Sequence, residues 1–250
     1  GPFYRRLFRW VVHPAVSRFV CNSAFVLNAL LAHGIPQAKT TVIYNTLAAD
    51  RRAAADGQLH EPDKIIYVGQ VIPEQNVHLL LDAVQELRQR GFQVRLEIVG
   101  PMTGWEAPQY EGYRERLLAQ AGDPDLAGCV QFVGQRDDVS KRMASAAVHV
   151  CPSEMPEGCP NVVLEAKQAG VPTVAFTLGP FPELIKHGEN GWLCPQASSS
   201  SLAEGIAALI SDPDLRRRAG ERARESLREF SRERFAAQWW STIAGNAALP

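Results

Sequence analysis

The sequence predicts an α/β fold built on a Rossmann-like, doubly wound parallel sheet. From residue 64 onward, short β-branched runs that end at glycine alternate with longer amphipathic stretches, as they do in repeated βαβ units. The apolar fraction of 46% is typical of a globular protein with a substantial core. With 250 residues, the chain is long enough for one large domain or two small ones.

The predicted elements of the main domain follow one another in a regular order. Each predicted strand is a short apolar, β-branched run. The strands are residues 64–69, 94–100, 130–134, 147–153 and 172–176. Each predicted helix is a longer amphipathic stretch, and several are bounded by a serine, an acidic residue or a glycine. The helices are residues 77–91, 110–121, 137–146, 161–170, 202–210, 213–230 and 231–244.

The first 60 residues differ from this repeating pattern. They predict two strands, at 18–23 and 40–45, around one helix at 24–33. This is too little for a domain with its own core. We therefore expect a remnant of another domain with its linker at 1–60, the main domain at 61–230 and a closing helix at 231–250.

Composition argues against several classes of partner and site. The net charge is −1 and Lys and Arg are spread along the chain, so no nucleic-acid surface is expected. The five cysteines form no C-x-x-C pair and have no ligand-like spacing with the histidines, so we expect neither a disulfide framework nor a metal site. No apolar run reaches the roughly 20 residues of a membrane span, and there is no signal peptide, so we expect a cytoplasmic protein.

Residues 3–12 allow two interpretations. Aromatic and basic residues alternate in FYRRLFRWVV, as they do in helices that lie on a membrane surface. This reading places the protein peripherally at the inner face of the membrane. The alternative, which we favour, is a helix whose apolar face has lost its partner domain.

A candidate site lies at one loop-to-helix junction. Ligands of open parallel sheets bind beyond the carboxyl ends of the strands, and PEGCPNVVLEA at 156–166 follows such an end. Pro160 fits the first turn of a helix, whose free N–H groups suit a phosphate. Glu165 can accept from the vicinal hydroxyls of a ribose, and Glu157 from hydroxyls at the far end of the same ligand. The alternative is that Glu157 is a solvated loop residue and Glu165 complements the helix N-terminus.

Five ordered segments extend this pattern. They are YVGQVIPEQNVHLLLDA, LEIVG, VQFVGQRDDV, PSEMPEGCPNVVLEAKQAGVPTVAF and GPFPELIKHGENGWLC. Together they resemble the donor-binding, C-terminal half of retaining glycosyltransferases with the GT-B fold, family 4 (glycosyl transferases group 1). Residues 19–45 resemble the end of the family's N-terminal domain and the linker, so most of an acceptor-binding domain is expected to be missing.

The resemblance implies a nucleotide-sugar site that needs neither a cofactor nor a tightly held metal. It implies that Glu165 holds the ribose, that Glu157 contacts the transferred sugar and that the backbone of 158–161 meets the sugar and diphosphate. The loop at 134–136 would border the base. Glu183 would lie near the donor, although it equally fits a helix N-terminus. The implied catalytic and donor-binding residues are Glu157, Gln70, Gln75, Gly69, Gly134, Arg136, Gly158, Cys159, Pro160, Asn161, Glu165 and Glu183.

The chain departs from the family pattern beside the expected diphosphate. Gln70 and Gln75 stand where the family usually carries Arg and Lys, and Asn76 replaces a glycine. Removing one preorganised stabilising group costs about a hundred to a thousandfold in rate, so slow turnover is expected unless other side chains compensate. The candidates for compensation are Arg136, His78 and Lys141.

The sequence therefore predicts a transferase that moves a sugar, with retention, from a UDP- or GDP-sugar to a glycan or lipid-linked acceptor. The alternative is a non-catalytic module that binds a nucleotide-sugar or a partner and lacks its acceptor domain. Gln70 and Gln75 favour that alternative. An epimerase with the GT-B fold fits the paired glutamates poorly.

Overall fold

The structure is a computed structural model that describes residues 13–47, 60–102, 110–155 and 157–244. Residues 3–12, with their two interpretations, lie outside the described residues. The described chain forms one two-stranded and one six-stranded sheet, and the pairings within both sheets are parallel. The prediction of an α/β fold with a doubly wound parallel sheet is confirmed.

The N-terminal segment, residues 13–47, contains the two-stranded sheet. Its elements are α1 (His13–Ala15), β1 (Phe19–Cys21), α2 (Ala24–Ala32) and β2 (Thr40–Val42), with a 3₁₀ turn at Gln37–Lys39. Ser23 begins α2, and its Oγ accepts a hydrogen bond from the Val26 N–H at 3.1 Å. No residue of α2 is buried, although the helix is almost wholly apolar.

The large sheet has the strand order β5-β4-β3-β6-β7-β8. Its strands are β3 (Glu61–Val68), β4 (Arg95–Val99), β5 (Val130–Gly134), β6 (Ala146–Cys151), β7 (Thr173–Phe176) and β8 (Gly191–Cys194). The chain builds outward from β3 to β5, returns to the centre and builds outward on the other side from β6 to β8. This reversal places a switch point between β3 and β6, where the loops that follow the two strands diverge.

Helices cover both faces of the large sheet. They are α3 (Val77–Gln89), α4 (Tyr113–Ala121), α5 (Val139–Ser145), α6 (Asn161–Ala169), α7 (Phe181–Leu184), α8 (Ser199–Ser211), α9 (Pro213–Ser226) and α10 (Arg232–Ala244). Short 3₁₀ turns at Pro73–Gln75 and Leu227–Phe230 precede α3 and α10. Side chains alternate along β3, so Ile65 and Tyr67 pack with α3, α4 and α8, whereas Ile66 packs with α5 and α6.

Several boundaries differ from the sequence prediction. β3 begins at Glu61, three residues before the predicted strand, because Glu61 pairs with Ala146 of β6. Arg95 on β4 also pairs with Glu61 and Asp63, each at 2.7 Å. These contacts with neighbouring strands lie in a polar stretch that local patterning does not identify as a strand. Ala146 belongs to β6 rather than to the preceding helix, and the predicted helix at 213–230 ends at Ser226 with a 3₁₀ turn after it.

Candidate functional site

The loops after β3 and β6 meet at the switch point. The Glu154 N–H donates to the Glu74 carbonyl at 3.1 Å, and Asn76 Nδ2 donates to the Pro152 carbonyl at 3.1 Å. These two bonds join the turn before α3 to the loop after β6. The crevice expected from the strand order is therefore closed at its base by polar contacts between the loops.

Glu157 and Gln75 meet where these two loops approach each other. Gln75 is buried, and its Nε2 donates to Glu157 Oε1 at 2.8 Å. The Ser153 hydroxyl, also buried, lies 3.4 Å from the same oxygen. Neutral groups thus engage one oxygen of the Glu157 carboxylate, and Glu157 Oε2 makes no hydrogen bond to the residues that the structure describes. The structure brings these two predicted site residues into direct contact.

Asn76 occupies the position where the family pattern has glycine. Its φ of 51° lies in the left-handed region, which asparagine tolerates better than most side chains do. Besides its bond to the Pro152 carbonyl, Asn76 Nδ2 donates to Glu154 Oε2 at 2.6 Å. Asn76 therefore adopts a conformation that glycine also adopts readily, and its amide ties the two loops together.

Two glycines border the crevice at the ends of β3 and β4. A Cβ at Gly100, whose φ is 147°, would lie 1.7 Å from the carbonyl oxygen of Gly69. A Cβ at Gly69 would lie 2.7 Å from the Tyr67 hydroxyl, which donates to the Gln70 carbonyl at 2.6 Å. The backbones of these neighbouring turns can approach because position 100 lacks a side chain, whereas a side chain at position 69 would meet Tyr67. Gln70, which follows Gly69, is exposed, so its side-chain amide is accessible to solvent beside these two turns.

Helix α6 begins at the predicted loop-to-helix junction. Pro160 is its N-cap, with φ −66° and ψ 111°, so it stands one position before the first-turn position that the sequence suggested. Asn161 is the first helical residue and is exposed, whereas Cys159 and Pro160 are buried. Glu165 is the fifth residue of the helix and is half-buried. Glu157 and Glu165 therefore flank the free N-terminus of α6, as the sequence predicted; their roles toward a ligand remain predictions.

The N-terminal segment contacts this junction, which sequence reasoning missed. Asn45 Nδ2 donates to the Cys159 carbonyl at 3.0 Å and to Asn161 Oδ1 at 2.9 Å. Asn22 packs against Gly158 so closely that a Cβ there would lie 1.9 Å from Asn22 Oδ1. The one local signal was the position of Asn45 at the end of a predicted strand, where ligand-binding residues of parallel sheets collect.

Glu183 binds the N-terminal segment in this structure. Its carboxylate accepts hydrogen bonds from the N–H groups of Ala24 and Phe25 and from the Tyr44 hydroxyl, all at 2.7 Å. Burial, followed by the bond to Glu183, raises the pKa of Tyr44 to about 12, so this hydroxyl stays a donor at neutral pH. Glu183 lies in the first turn of α7, as one reading expected, but the helix N-terminus that it caps is that of α2. Its contact with a donor remains a prediction.

The side chains suggested for charge compensation have other partners or lie in solvent. Arg136 Nε lies 3.3 Å from Asp138 Oδ1 in the exposed turn that follows Gly134. His78 Nδ1 lies 3.1 Å from the Tyr113 hydroxyl, and burial lowers the pKa of His78. Lys141 is exposed. The structure places none of these three in contact with Glu157 or Gln75 among the residues it describes.

Two buried cysteines lie beside this site. Burial raises the pKa of the Cys159 thiol to about 11 and also raises the pKa of Cys151, so both remain protonated at neutral pH. Across the described parts of the chain, no group of three His, Cys, Asp or Glu side chains could hold a metal ion. Within the same residues, no helix combines the length and apolar character that crossing a bilayer requires.

Solved structures share this fold. One is the crystal structure of Anabaena Alr3699/HepE in complex with UDP and glucose. Its alignment with this chain has a TM-score of 0.81 and 24% identity, and it spans 98% of this chain and 69% of the Anabaena chain. Another is the crystal structure of a mutant of S. aureus TarM in complex with fondaparinux, α-GlcNAc-glycerol and UDP. Its alignment with this chain has a TM-score of 0.78 and 19% identity, and it spans 92% of this chain and 44% of the TarM chain. At these identities the likeness establishes the fold, which is that of GT-B glycosyltransferases.

Sequence comparison identifies the family. A phosphatidyl-myo-inositol mannosyltransferase of Mycobacterium leprae is 33% identical over 174 residues, 69% of this chain and 41% of that protein. An uncharacterized glycosyltransferase of Haemophilus influenzae is 31% identical over 180 residues, 72% of this chain and 48% of that protein. This chain thus spans about half the length, or less, of these curated relatives. Residues 51–226 match the family described as glycosyl transferases group 1, and the chain belongs to that family.

Proposed function

We propose that this chain is the donor-binding part of a retaining glycosyltransferase, which transfers a sugar from a UDP- or GDP-sugar to a glycan or lipid-linked acceptor. One observation carries the proposal. Glu157, the glycine-bordered turn after β3 and the free N-terminus of α6 meet at the switch point of the sheet. The ligand is a substrate, and the proposal includes no resident cofactor.

Each part of the crevice has a proposed role toward the donor. Glu165 accepts from the ribose hydroxyls, and Glu157 accepts from hydroxyls of the transferred sugar through the oxygen that Gln75 leaves available. The first N–H groups of α6 bind the diphosphate, because a helix N-terminus carries partial positive charge and unpaired donors. Gln70 and Gln75 lie beside the diphosphate as neutral hydrogen-bonding groups.

The step of the proposed reaction that most needs stabilisation is departure of the nucleoside diphosphate. Negative charge grows on the phosphate oxygens as the sugar departs, and preorganised donors that face this charge lower the barrier. A transition state with oxocarbenium character is stabilised by the nearby Glu157 carboxylate. Because the residues in contact at the crevice are neutral or acidic, we expect turnover slower than in relatives with two cations at this place.

The relatives support the donor class and a second domain. Both solved structures are complexes that contain UDP, and the Mycobacterium leprae relative is a phosphatidyl-myo-inositol mannosyltransferase. The matched part of this chain covers less than half of each of these curated relatives. We therefore propose that a further, N-terminal domain holds the acceptor.

A second candidate function is a nucleotide-sugar-binding module without turnover. The observation that favours it is the bond between Gln75 and Glu157, which places an uncharged amide where a cation would assist the leaving group. The two candidates share the same ligand. They differ in whether the nucleoside diphosphate is released when an acceptor is supplied.

Donor binding is tested by thermal unfolding of this chain with nucleoside diphosphates and nucleotide-sugars. A ligand present at a hundred times its Kd adds about 2.7 kcal/mol to the free energy of unfolding. Glu165→Ala should abolish this stabilisation, whereas Glu204→Ala, which changes an exposed glutamate on α8, should retain it. A wild-type chain that no nucleotide stabilises would refute the proposed function.

Turnover is tested in the full-length protein by measuring nucleoside diphosphate release with and without acceptor. Acceptor-dependent release supports the transferase. Tight donor binding with no release, in the presence of a panel of glycan and lipid-linked acceptors, supports the binding module instead.

A further inference from the structure

Asn45 fixes the orientation of a second amide at the start of α6. Its Nδ2 lies 3.0 Å from the Cys159 carbonyl oxygen, and a carbonyl can only accept. The nitrogen of Asn45 must therefore face this carbonyl. The same nitrogen lies 2.9 Å from the Asn161 side chain, which must present its oxygen in return. The Cys159 carbonyl thus determines the orientation of Asn45, and Asn45 determines that of Asn161.

This orientation leaves the Asn161 N–H groups available. Asn161 is exposed, and its Nδ2 makes no hydrogen bond to the residues that the structure describes. As the first residue of the nine-residue α6, Asn161 stands beside the free backbone N–H groups of the helix. Two amide donors therefore join the partially positive end of the helix.

The strand end that carries Asn45 is held on both sides. The preceding residue, Tyr44, donates to Glu183 at 2.7 Å, and the following residue, Thr46, donates to the Phe230 carbonyl at 2.7 Å. The bonds of Tyr44 and Thr46 consequently hold the backbone on either side of Asn45, so that its side chain stays beside the junction. A second asparagine of the same segment, Asn22, packs on Gly158 one residue before Cys159.

We propose that Asn45 is a positioning residue that orients the Asn161 side-chain amide as a hydrogen-bond donor to the diphosphate of the sugar donor. The inference rests on the proposed function of this site. It supplies neutral donors beside the leaving group, at the place where Gln70 and Gln75 provide no charge. It also makes the N-terminal segment a part of the donor site.

The experiment measures the affinity of the chain for UDP and for uridine, or for GDP and guanosine if the wild type prefers guanine. Asn45→Ala should weaken nucleoside diphosphate binding about tenfold, because a hydrogen bond to a charged group is lost or misdirected. Nucleoside binding should be unchanged. Asn161→Ala, which truncates an exposed side chain, should produce a similar loss whether or not the Asn45 variant folds. Asn28→Ala is the matched control, because Asn28 is an exposed asparagine on α2 of the same N-terminal segment; it should keep diphosphate affinity.

A double-mutant cycle separates positioning from general support of the fold. If Asn45 acts through Asn161, adding Asn45→Ala to Asn161→Ala should cause almost no further loss. Fully additive losses, or equal weakening of nucleoside and nucleoside diphosphate, would overturn the proposal. So would unchanged diphosphate affinity in Asn161→Ala. A wild-type chain that binds no nucleoside diphosphate would overturn the proposed function itself, before any variant is compared.

Discussion

Replacing Glu183 by glutamine should loosen the N-terminal segment from the main domain. The carboxylate accepts three hydrogen bonds at 2.7 Å, from the N–H groups of Ala24 and Phe25 and from the Tyr44 hydroxyl. With the Ser23 hydroxyl, which accepts from the Val26 N–H, it satisfies the first three N–H groups of α2. The perturbation therefore removes the charge that holds the start of this helix.

The size of the effect follows from these contacts. The single oxygen of glutamine can accept two hydrogen bonds, so its amide nitrogen must face a third donor. An unpaired, partly buried donor costs about 1–3 kcal/mol. Loss of the negative charge at the N-terminus of α2 costs a further 0.3–1 kcal/mol or so. Glu183→Gln should thus destabilise the attachment of α2 by about 1.5–4 kcal/mol.

Hydrogen exchange measures this local stability. At 1.4 kcal/mol per factor of ten, exchange of the Ala24 and Phe25 amides should accelerate by about ten to a thousandfold, while the core strands keep their protection. Glu189→Gln is the control, because Glu189 is an exposed glutamate in the turn after α7. Unchanged exchange at Ala24 and Phe25, or equal acceleration in the control, would refute the reasoning.

Three further predictions concern the main domain. Burial lowers the pKa of His149 to about 3, so the folded state excludes a proton that the unfolded chain binds below about pH 6.5. The wild type should therefore lose about 2 kcal/mol of unfolding free energy through this group between pH 7 and pH 5, and His149→Leu should not show this loss when both are measured by urea unfolding. Burial lowers the pKa of Lys167 to about 8, so its charged form opposes folding at neutral pH. Lys167→Met should therefore increase the free energy of unfolding by about 1–2 kcal/mol and raise Tm. Gly100→Ala should lower the free energy of unfolding by more than about 3 kcal/mol, because its Cβ would lie 1.7 Å from the Gly69 carbonyl oxygen. Gly91→Ala, at φ 89° with open space around it, should lower it by only about 1–2 kcal/mol. Equal losses in the two variants would contradict this prediction.

The fold was predictable because its signals are local and repeated. Most βαβ units contain their own apolar run and amphipathic helix, and the five predicted strands agree with β3 to β7, whereas β8 was not predicted. The errors lie where a partner on another strand decides the boundary. The start of β3 depends on the pairing of Glu61 with Ala146 of β6, and Arg95 of β4 adds ion pairs to Glu61 and Asp63; no local window of the sequence contains these partners.

The candidate site was predictable in part for the same reason. Glu157 and Glu165 stand near the N-terminus of α6, so their arrangement follows from the helix that both flank. The contacts of Glu183 could not be found in this way, because Ala24 lies 159 residues away along the chain. Asn45 reaches Asn161 across 116 residues, and only the folded chain brings these two amides together.

The replacement at position 75, beside the proposed diphosphate site, has a different meaning once its contacts are known. From sequence, Gln75 counts as a missing positive charge. In the structure its amide binds Glu157, and the next residue, Asn76, binds Pro152 and Glu154 of the same opposing loop. A lysine at position 75 in this geometry would face the Glu157 carboxylate and neutralise it. Restoring the charge at position 75 would therefore add little free cation for a phosphate, so in the proposed transferase the donors at the start of α6 become the main neutral groups for the leaving group.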